Sequence, residues 1–194
     1  MSQITAIGLC GVARSGKDTF FSILKNYLAD TDKVAVKVSF AKALRLDIRE
    51  FLFNKTGIDS FTEIESEKVI IRDFLVAYGT KLMRRLDENY WISQVKNEVE
   101  EIMHQGDIPV FTDTRYPNEL KWIKYILGGH IIHIERQGIV APNEEERRND
   151  PLLKNEAHLK FYWEDFLNNK PSVLEEMQIH QSLNHLFQKQ KVQI

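Results

Sequence analysis

The chain has 194 residues, a length that suits one domain, and its 26 Lys and Arg against 28 Asp and Glu leave a formal charge of −2. That balance excludes the strongly basic face of a nucleic-acid coat but leaves room for one small anion in a local basic pocket. No apolar run nears the about 20 residues that cross a bilayer, no basic leader precedes an apolar stretch, and a lone Cys10 makes neither an internal disulfide nor a cysteine-based zinc site. The expectation is a soluble protein of a reducing cytoplasm, with no nucleic-acid or membrane partner.

Ile4 to Cys10 is a short apolar run, as a buried parallel strand should be. "GVARSGKDT", Gly11 to Thr19, follows it, and Gly11, Gly16 and Lys17 keep the G-x4-G-K spacing of a phosphate loop. Such a loop turns successive backbone N–H groups inward around an anion, and glycine permits the dihedrals this needs. The helix that follows adds its positive end, and the lysine reaches the outer phosphates. Asp18 stands where a hydroxyl residue is usual. Its oxygen can serve magnesium directly or through water, with the Thr19 hydroxyl one residue on, or it can simply favour the positive helix end. Both readings stay open on the residues alone.

Asp18 to Leu28 reads as a helix with Phe20, Ile23, Leu24, Tyr27 and Leu28 on one face. Lys33 to Phe40 alternates as a second strand, and Ala41 to Phe53 reads as a helix. Thr62 to Tyr78 reads as another, with Thr62 and Glu65 as a capping box and Gly79 as its stop. A helix over Tyr90 to His104 precedes a third strand, Ile108 to Thr112. A helix over Asn118 to Leu127, closed by Gly128-Gly129, leads to a fourth strand, His130 to Glu135. Residues 136–156 are polar and charged, and read as a lid-like surface excursion. Ala157 to Leu167 reads as a helix, Val173 to Ile179 as a strand, and the chain from Ser182 as a last helix. Alternating strands and helices imply a parallel sheet covered on both faces, with ligands at the carboxyl ends of its strands.

One rival use of the loop fails at once. "NKTG", Asn54 to Gly57, has Gly57 where the guanine-reading N-K-x-D of a GTPase needs aspartate. A kinase with a phosphorylated acceptor needs arginines, which fork onto phosphate and neutralise charge in transfer. Arg45 lies just beyond the second strand, Arg72 two helical turns before Gly79-Thr80, and Asp113 and Arg115 immediately after the third strand. Asp113 is placed to meet magnesium or its waters. Trp91 reads as core or as a base-stacking platform.

Taken in order, G-V-x-R-S-G-K-D-T, F-A-x-x-L-R, R-x-x-L-x-x-x-G-T, a tryptophan and D-x-R-Y-P-N-E resemble the bacteriophage deoxynucleoside monophosphate kinases, from about Ile4 to Glu135. The resemblance implies a three-layer α/β/α P-loop kinase fold with a parallel central sheet and a mobile lid, in one domain over 1–194 with the lid at about 136–156. It implies transfer of the γ-phosphate of ATP, with Mg2+, to a deoxynucleoside 5′-monophosphate, in the host cytoplasm if phage-encoded. Arg14, Ser15, Gly16, Lys17, Asp18 and Thr19 would then hold ATP and metal, with Gly11 opening the loop. Arg72, Gly79, Thr80 and Trp91 would bind the monophosphate, and Asp113, Arg115 and Glu119 would complete the catalytic side. Arg136, on the ATP, and Arg147 or Arg148 in the excursion are candidate lid arginines. The chain departs from the family at its far end, where "KNEAH" and "QIHQSLNHL" match the family's pattern only loosely. Two alternatives remain: a small-metabolite kinase of the dephospho-coenzyme A or phosphomevalonate type, or a P-loop ATPase or switch module. Oligomeric state stays open between monomer and homodimer.

Overall fold

The computed structural model describes residues 4–29, 31–164, 166–167 and 170–188. The chain divides into two compact units, one built from the chain up to Val38 and from Val99 onward, the other from Ser39–Glu98.

In the first unit, β1 (Ile7–Cys10), β2 (Ala35–Val38), β3 (Ile108–Thr114), β4 (His130–Arg136) and β5 (Leu159–Trp163) form one sheet in the order β2-β3-β1-β4-β5. Every pairing in it is parallel. The apolar β1 is central, as a strand buried on both faces should be. Helices α1 (Lys17–Ala29) and α8 (Val173–Gln188) cover one face, where Phe20, Leu24, Leu28, Ile179 and Leu183 join Leu9, Val110 and Ile132 in the core. The other face carries α6 (Pro117–Lys121), its π-helical continuation Trp122–Ile126, and α7 (Glu144–Glu156), with Trp122 edge-on to Phe111 at 5.5 Å. This is the three-layer α/β/α arrangement with a parallel central sheet. Because β3 and β4 flank β1 on opposite sides, the chain reverses direction of sheet growth at β1, and the crevice beyond its carboxyl end is where such sheets bind ligands.

The second unit holds α2 (Phe40–Thr56), α3 (Glu65–Val76), a π-helical stretch over Ala77–Met83, the single turn α4 (Arg84–Leu86) and the start of α5 (Tyr90–His104). Ser39 caps α2 through the Lys42 N–H, and Gly57 closes it at φ 73. Ile48, Leu52 and Ile71 form its core, with Phe74 and Tyr78 against them.

Four expectations are corrected. The helix expected over 157–167 is β5 in its first part, because Phe161 and Trp163 are buried while Lys160 and Tyr162 face out, a period of two; residue 165 lies outside the described residues. Phe166–Leu167 then pairs antiparallel with Lys170–Pro171 as β6 and β7. The strand expected over 173–179 is the first half of α8, whose buried Ile179 and Leu183 stand one turn apart, and Glu175 ties its start by accepting from Ser172 N–H at 2.8 Å. Gly79 does not end a helix: the α3 path widens through Gly79 as a π-helix, where it approaches Leu44 closely. Nor does the Thr62–Glu65 capping box form, since the Thr62 hydroxyl donates to Glu67 and accepts from the Ile64 N–H. The excursion at 136–156 contains an ordered helix, α7. Asn143 caps it by accepting from the Glu146 N–H at 2.8 Å.

Two histidines lock β4 to β5. The Ile131 N–H donates to Nδ1 of His158 at 3.0 Å, and the His130 and His158 rings lie 4.7 Å apart. Burial lowers both pKa values, His158 adding to the effect at His130, and Lys124 adding to it at His158 against Glu156. Protonation of His158 would convert its acceptor nitrogen into a donor. As pH falls below the ordinary histidine value of 6.5, the unfolded chain therefore takes up protons first and stability is lost. The melting temperature is expected to fall between about pH 7.5 and about pH 5.5, and His158→Asn to flatten that fall. An equal fall in the variant would refute the assignment.

Candidate active site

The Gly11–Thr19 loop joins β1 to α1 in the backbone that an anion cradle needs. Gly11 has φ 127 and Gly16 φ 89, and Arg14 holds φ 67, a left-handed conformation uncommon outside glycine. A Cβ on Gly11 would stand 2.1 Å from the Ile134 carbonyl oxygen, and one on Gly16 would stand 2.5 Å from Nε1 of Trp163. Glycine is required at both positions by space as well as by dihedral. Ser15 is fully buried, and Lys17, 9% exposed, folds its ammonium onto the loop, donating to the carbonyls of Gly11 at 2.8 Å and Val12 at 2.7 Å. Burial, then the charge of Arg115, lowers the Lys17 pKa to about 8, with Glu146 acting in the opposite sense. Asp18 points outward, its side chain 80% exposed and paired with Lys37 at 2.7 Å, while Thr19 is half-buried one residue on.

Beyond β3, Arg115 reaches the same loop through a shared carboxylate. Its guanidinium donates to Oε1 of Glu146 at 3.0 Å, and Oε2 of Glu146 accepts from the Ala13 N–H of the loop at 2.7 Å. An anion therefore lies on a backbone amide of the cradle, supplied by α7. Glu119, almost fully buried, accepts from the backbone N–H groups of Arg115 at 2.8 Å and Tyr116 at 3.1 Å, so it fixes the path of the chain out of β3. Asp113 is half-buried within β3, and Arg136 is half-buried at the end of β4, where Gln137 N–H donates to the Trp163 carbonyl.

The remaining expected residues lie in the second unit. Arg72 is exposed on α3. Gly79 and Thr80 belong to the π-helical stretch, and Trp91, 2% exposed, donates its indole N–H to the Gly79 carbonyl at 3.1 Å. The same oxygen accepts the Arg84 N–H across the widened turn, so the indole is its second donor and ties α5 to that turn. Arg45 donates to the Ser60 carbonyl at 2.6 Å and lies over the Phe61 ring, which holds the 59–62 turn against α2. Asp47 accepts from Tyr78 at 2.6 Å, and this bond pushes the Tyr78 phenol up to about 12.

The residues that sequence reasoning missed come from α7 and β5. Glu146, Asn149, Asp150 and Leu153 repeat at helical spacing, and pin one face of α7 to the sheet. Asn149 donates to the Arg115 carbonyl at 3.2 Å, and Asp150 lies 2.9 Å from Nε2 of the fully buried His133. Three of the four are polar, so a search for apolar periodicity passes over them. The usable signal was Asn143 with Glu146 three residues on, a capping-box spacing. Trp163 had no signal of its own: its place under Gly16 follows from the neighbouring strand.

Among the described residues no helix is long and apolar enough to cross a membrane. Among curated proteins none matches the sequence. Of solved structures, TT1252 from Thermus thermophilus is similar with a TM-score of 0.51 and 14% identity, over 96% of this chain and 98% of that one. Kti12 of Chaetomium thermophilum, solved in complex with ADP-AlF3, is similar with a TM-score of 0.46 and 14% identity over 94% and 98%. The likeness to TT1252 is one of fold. Residues 27–150 match the family model described as deoxynucleotide monophosphate kinase, a span that begins within α1 and reaches through Arg115 into α7. With a phosphate-type cradle after β1 and well over half its length matched, this chain belongs to the deoxynucleotide monophosphate kinase family.

Proposed function

We propose that the chain transfers the γ-phosphate of ATP to a deoxynucleoside 5′-monophosphate, giving a deoxynucleoside diphosphate and ADP. The observation that carries this reading is the anion on the Ala13 amide, held together with Arg115 and beside Lys17. A carboxylate there stands in for a phosphate, so the cradle fits the group it is proposed to bind.

In this mechanism the protein works by position and charge. The amides of the 11–19 loop and the Lys17 ammonium hold the ATP phosphates. Arg115 neutralises charge on the phosphoryl group in flight, while Glu119 keeps its backbone in place. Arg72, with Gly79 and Thr80, binds the acceptor monophosphate, and Trp91 supports that turn. An acceptor phosphate oxygen, already ionised near neutral pH, forms the new bond to phosphorus as the bond to the ADP oxygen breaks; no strong general base is needed. Residues 136–156 act as the lid, with Arg136 on the ATP side, and its closure excludes water, since hydrolysis is the competing reaction. Magnesium brought with ATP would spread the phosphate charge, and Asp18, Thr19 and Asp113 are the hard oxygen donors suited to it.

The test is ADP release from ATP and magnesium with each deoxynucleoside monophosphate, beside ribonucleotides, dephospho-coenzyme A, phosphomevalonate and no acceptor. Release dependent on deoxynucleotides supports the reading. Dependence on another acceptor, or on none, replaces it with a different metabolite kinase or an ATPase. In the same assay Arg72→Ala is expected to raise the acceptor KM about tenfold, the loss of one charge-assisted contact, with the KM for ATP unchanged. An unchanged acceptor KM removes Arg72 from the site.

A further inference from the structure

Glu146 is almost wholly buried, at 8% exposure, and a buried carboxylate is retained only where its charge is met. Its partners are informative. Oε2 accepts from the Ala13 N–H at 2.7 Å, and Oε1 accepts from Arg115 at 3.0 Å and, at 3.4 Å, from Asn143. Two of these three donors are groups that a bound phosphate would use. Capping α7 does not account for the arrangement, because the cap is complete in the Asn143 side chain and the Glu146 backbone N–H. The carboxylate instead leaves its own helix and crosses to the loop. Further along the same face, Asn149 donates to the Arg115 carbonyl and Asp150 pairs with His133, so α7 is fastened to the strand ends largely by polar contacts. Polar contacts of this kind are exchanged at little cost when a better anion arrives, unlike a packed apolar seam. The electrostatics agree: Glu146 offsets the positive charge that Lys17 and Arg115 impose on each other.

We propose that Glu146 is a built-in competitor for the phosphate seat. Without nucleotide its carboxylate takes the position of an ATP phosphate, which keeps α7 latched to the 11–19 loop, and nucleotide loads only after the latch opens. The latch offsets the positive charge of the cradle and lowers apparent nucleotide affinity by the fraction of chains held closed. This inference rests on the reading of that loop as a phosphate seat.

The experiment compares ADP binding by calorimetry and stopped flow in the full chain and in Glu146→Gln, which keeps the shape and removes the charge. The variant is expected to bind ADP about tenfold more tightly, with the gain in association rate rather than dissociation. A purely structural Glu146 predicts the opposite, a lower melting temperature and no gain in affinity. Affinity unchanged or weaker in the variant overturns the latch. If Glu146→Gln does not fold, Glu146→Asp, whose carboxylate is withdrawn by one methylene, is expected to gain affinity in the same way, and no gain there overturns the latch equally. The two readings fail separately. Wild-type chain that binds ADP, loses it on Lys17→Ala and gains nothing on Glu146→Gln overturns the latch alone. Chain that binds no ADP at millimolar concentration overturns the phosphate seat, and the latch with it.

Discussion

Lys17→Ala is expected to lower turnover by about a hundredfold or more, the usual effect of removing one preorganised contact to charge that develops in the transition state. Stability should not follow turnover down. Burial holds the Lys17 pKa at about 8, below its ordinary 10.5, so its charged form is disfavoured in the folded chain. Removing a group that is costly to bury leaves the melting temperature equal or raised, the pattern of a residue kept for activity. The bonds from Lys17 to the Gly11 and Val12 carbonyls act in the opposite sense, so the balance of the two is what thermal unfolding reads. Steady-state rates beside thermal unfolding decide the matter. Near-normal turnover would remove the loop from the chemistry, and lost activity with lost fold would make Lys17 structural.

Gly11→Ala should have the largest effect of any single methyl group in the chain. The added Cβ would stand 2.1 Å from the Ile134 carbonyl oxygen, on β4, which pairs with β1 over His130–His133 and with β5 at Ile134, so the obstacle is backbone and cannot rotate away. The dihedral φ 127 adds strain for any side chain. Together these effects are expected to cost about 3 kcal/mol or more, with loss of ADP binding in whatever folds. By contrast, Gly57→Ala, at φ 73 but with open space around it, should cost only about 1 kcal/mol and leave binding intact. Chemical denaturation of both variants checks the pair. Equal costs would mean that dihedral strain alone governs the loop glycine and that the Ile134 carbonyl yields.

What could be read in the chain depended on how local its physical cause is. The phosphate loop was legible because its function needs particular residues a fixed number of bonds apart, and because a buried strand before it and an amphipathic helix after it declare themselves by apolar pattern. The same holds for α5, whose span over Tyr90–His104 follows from its apolar stripe and Gly106. The end of the chain was misread where periodicity is short or ambiguous. Five residues of β5 and the first turns of α8 fit either pattern until their neighbours are known, and β4 on one side and α1 on the other decide between strand and helix. The π-helical turn at Gly79 was beyond local reading for the same reason. Glycine favours a stop, whereas in the fold the Gly79 carbonyl takes the Arg84 N–H across the wide turn and, from twelve residues on, the Trp91 indole N–H as a second donor.

By itself, then, the sequence determined the parallel α/β class, the phosphate loop with Lys17, and the arginine-bearing turn after β3, because hydrophobic period and motif spacing are properties of neighbouring residues. Only the tertiary structure decided that 136–156 contains a helix whose buried face is polar, and that Glu146 from it meets Ala13 and Arg115. The reason is physical: a carboxylate is buried only when distant parts of the chain bring donors to it, and the capping-box spacing from Asn143 places Glu146 in a first helical turn without saying that it is buried.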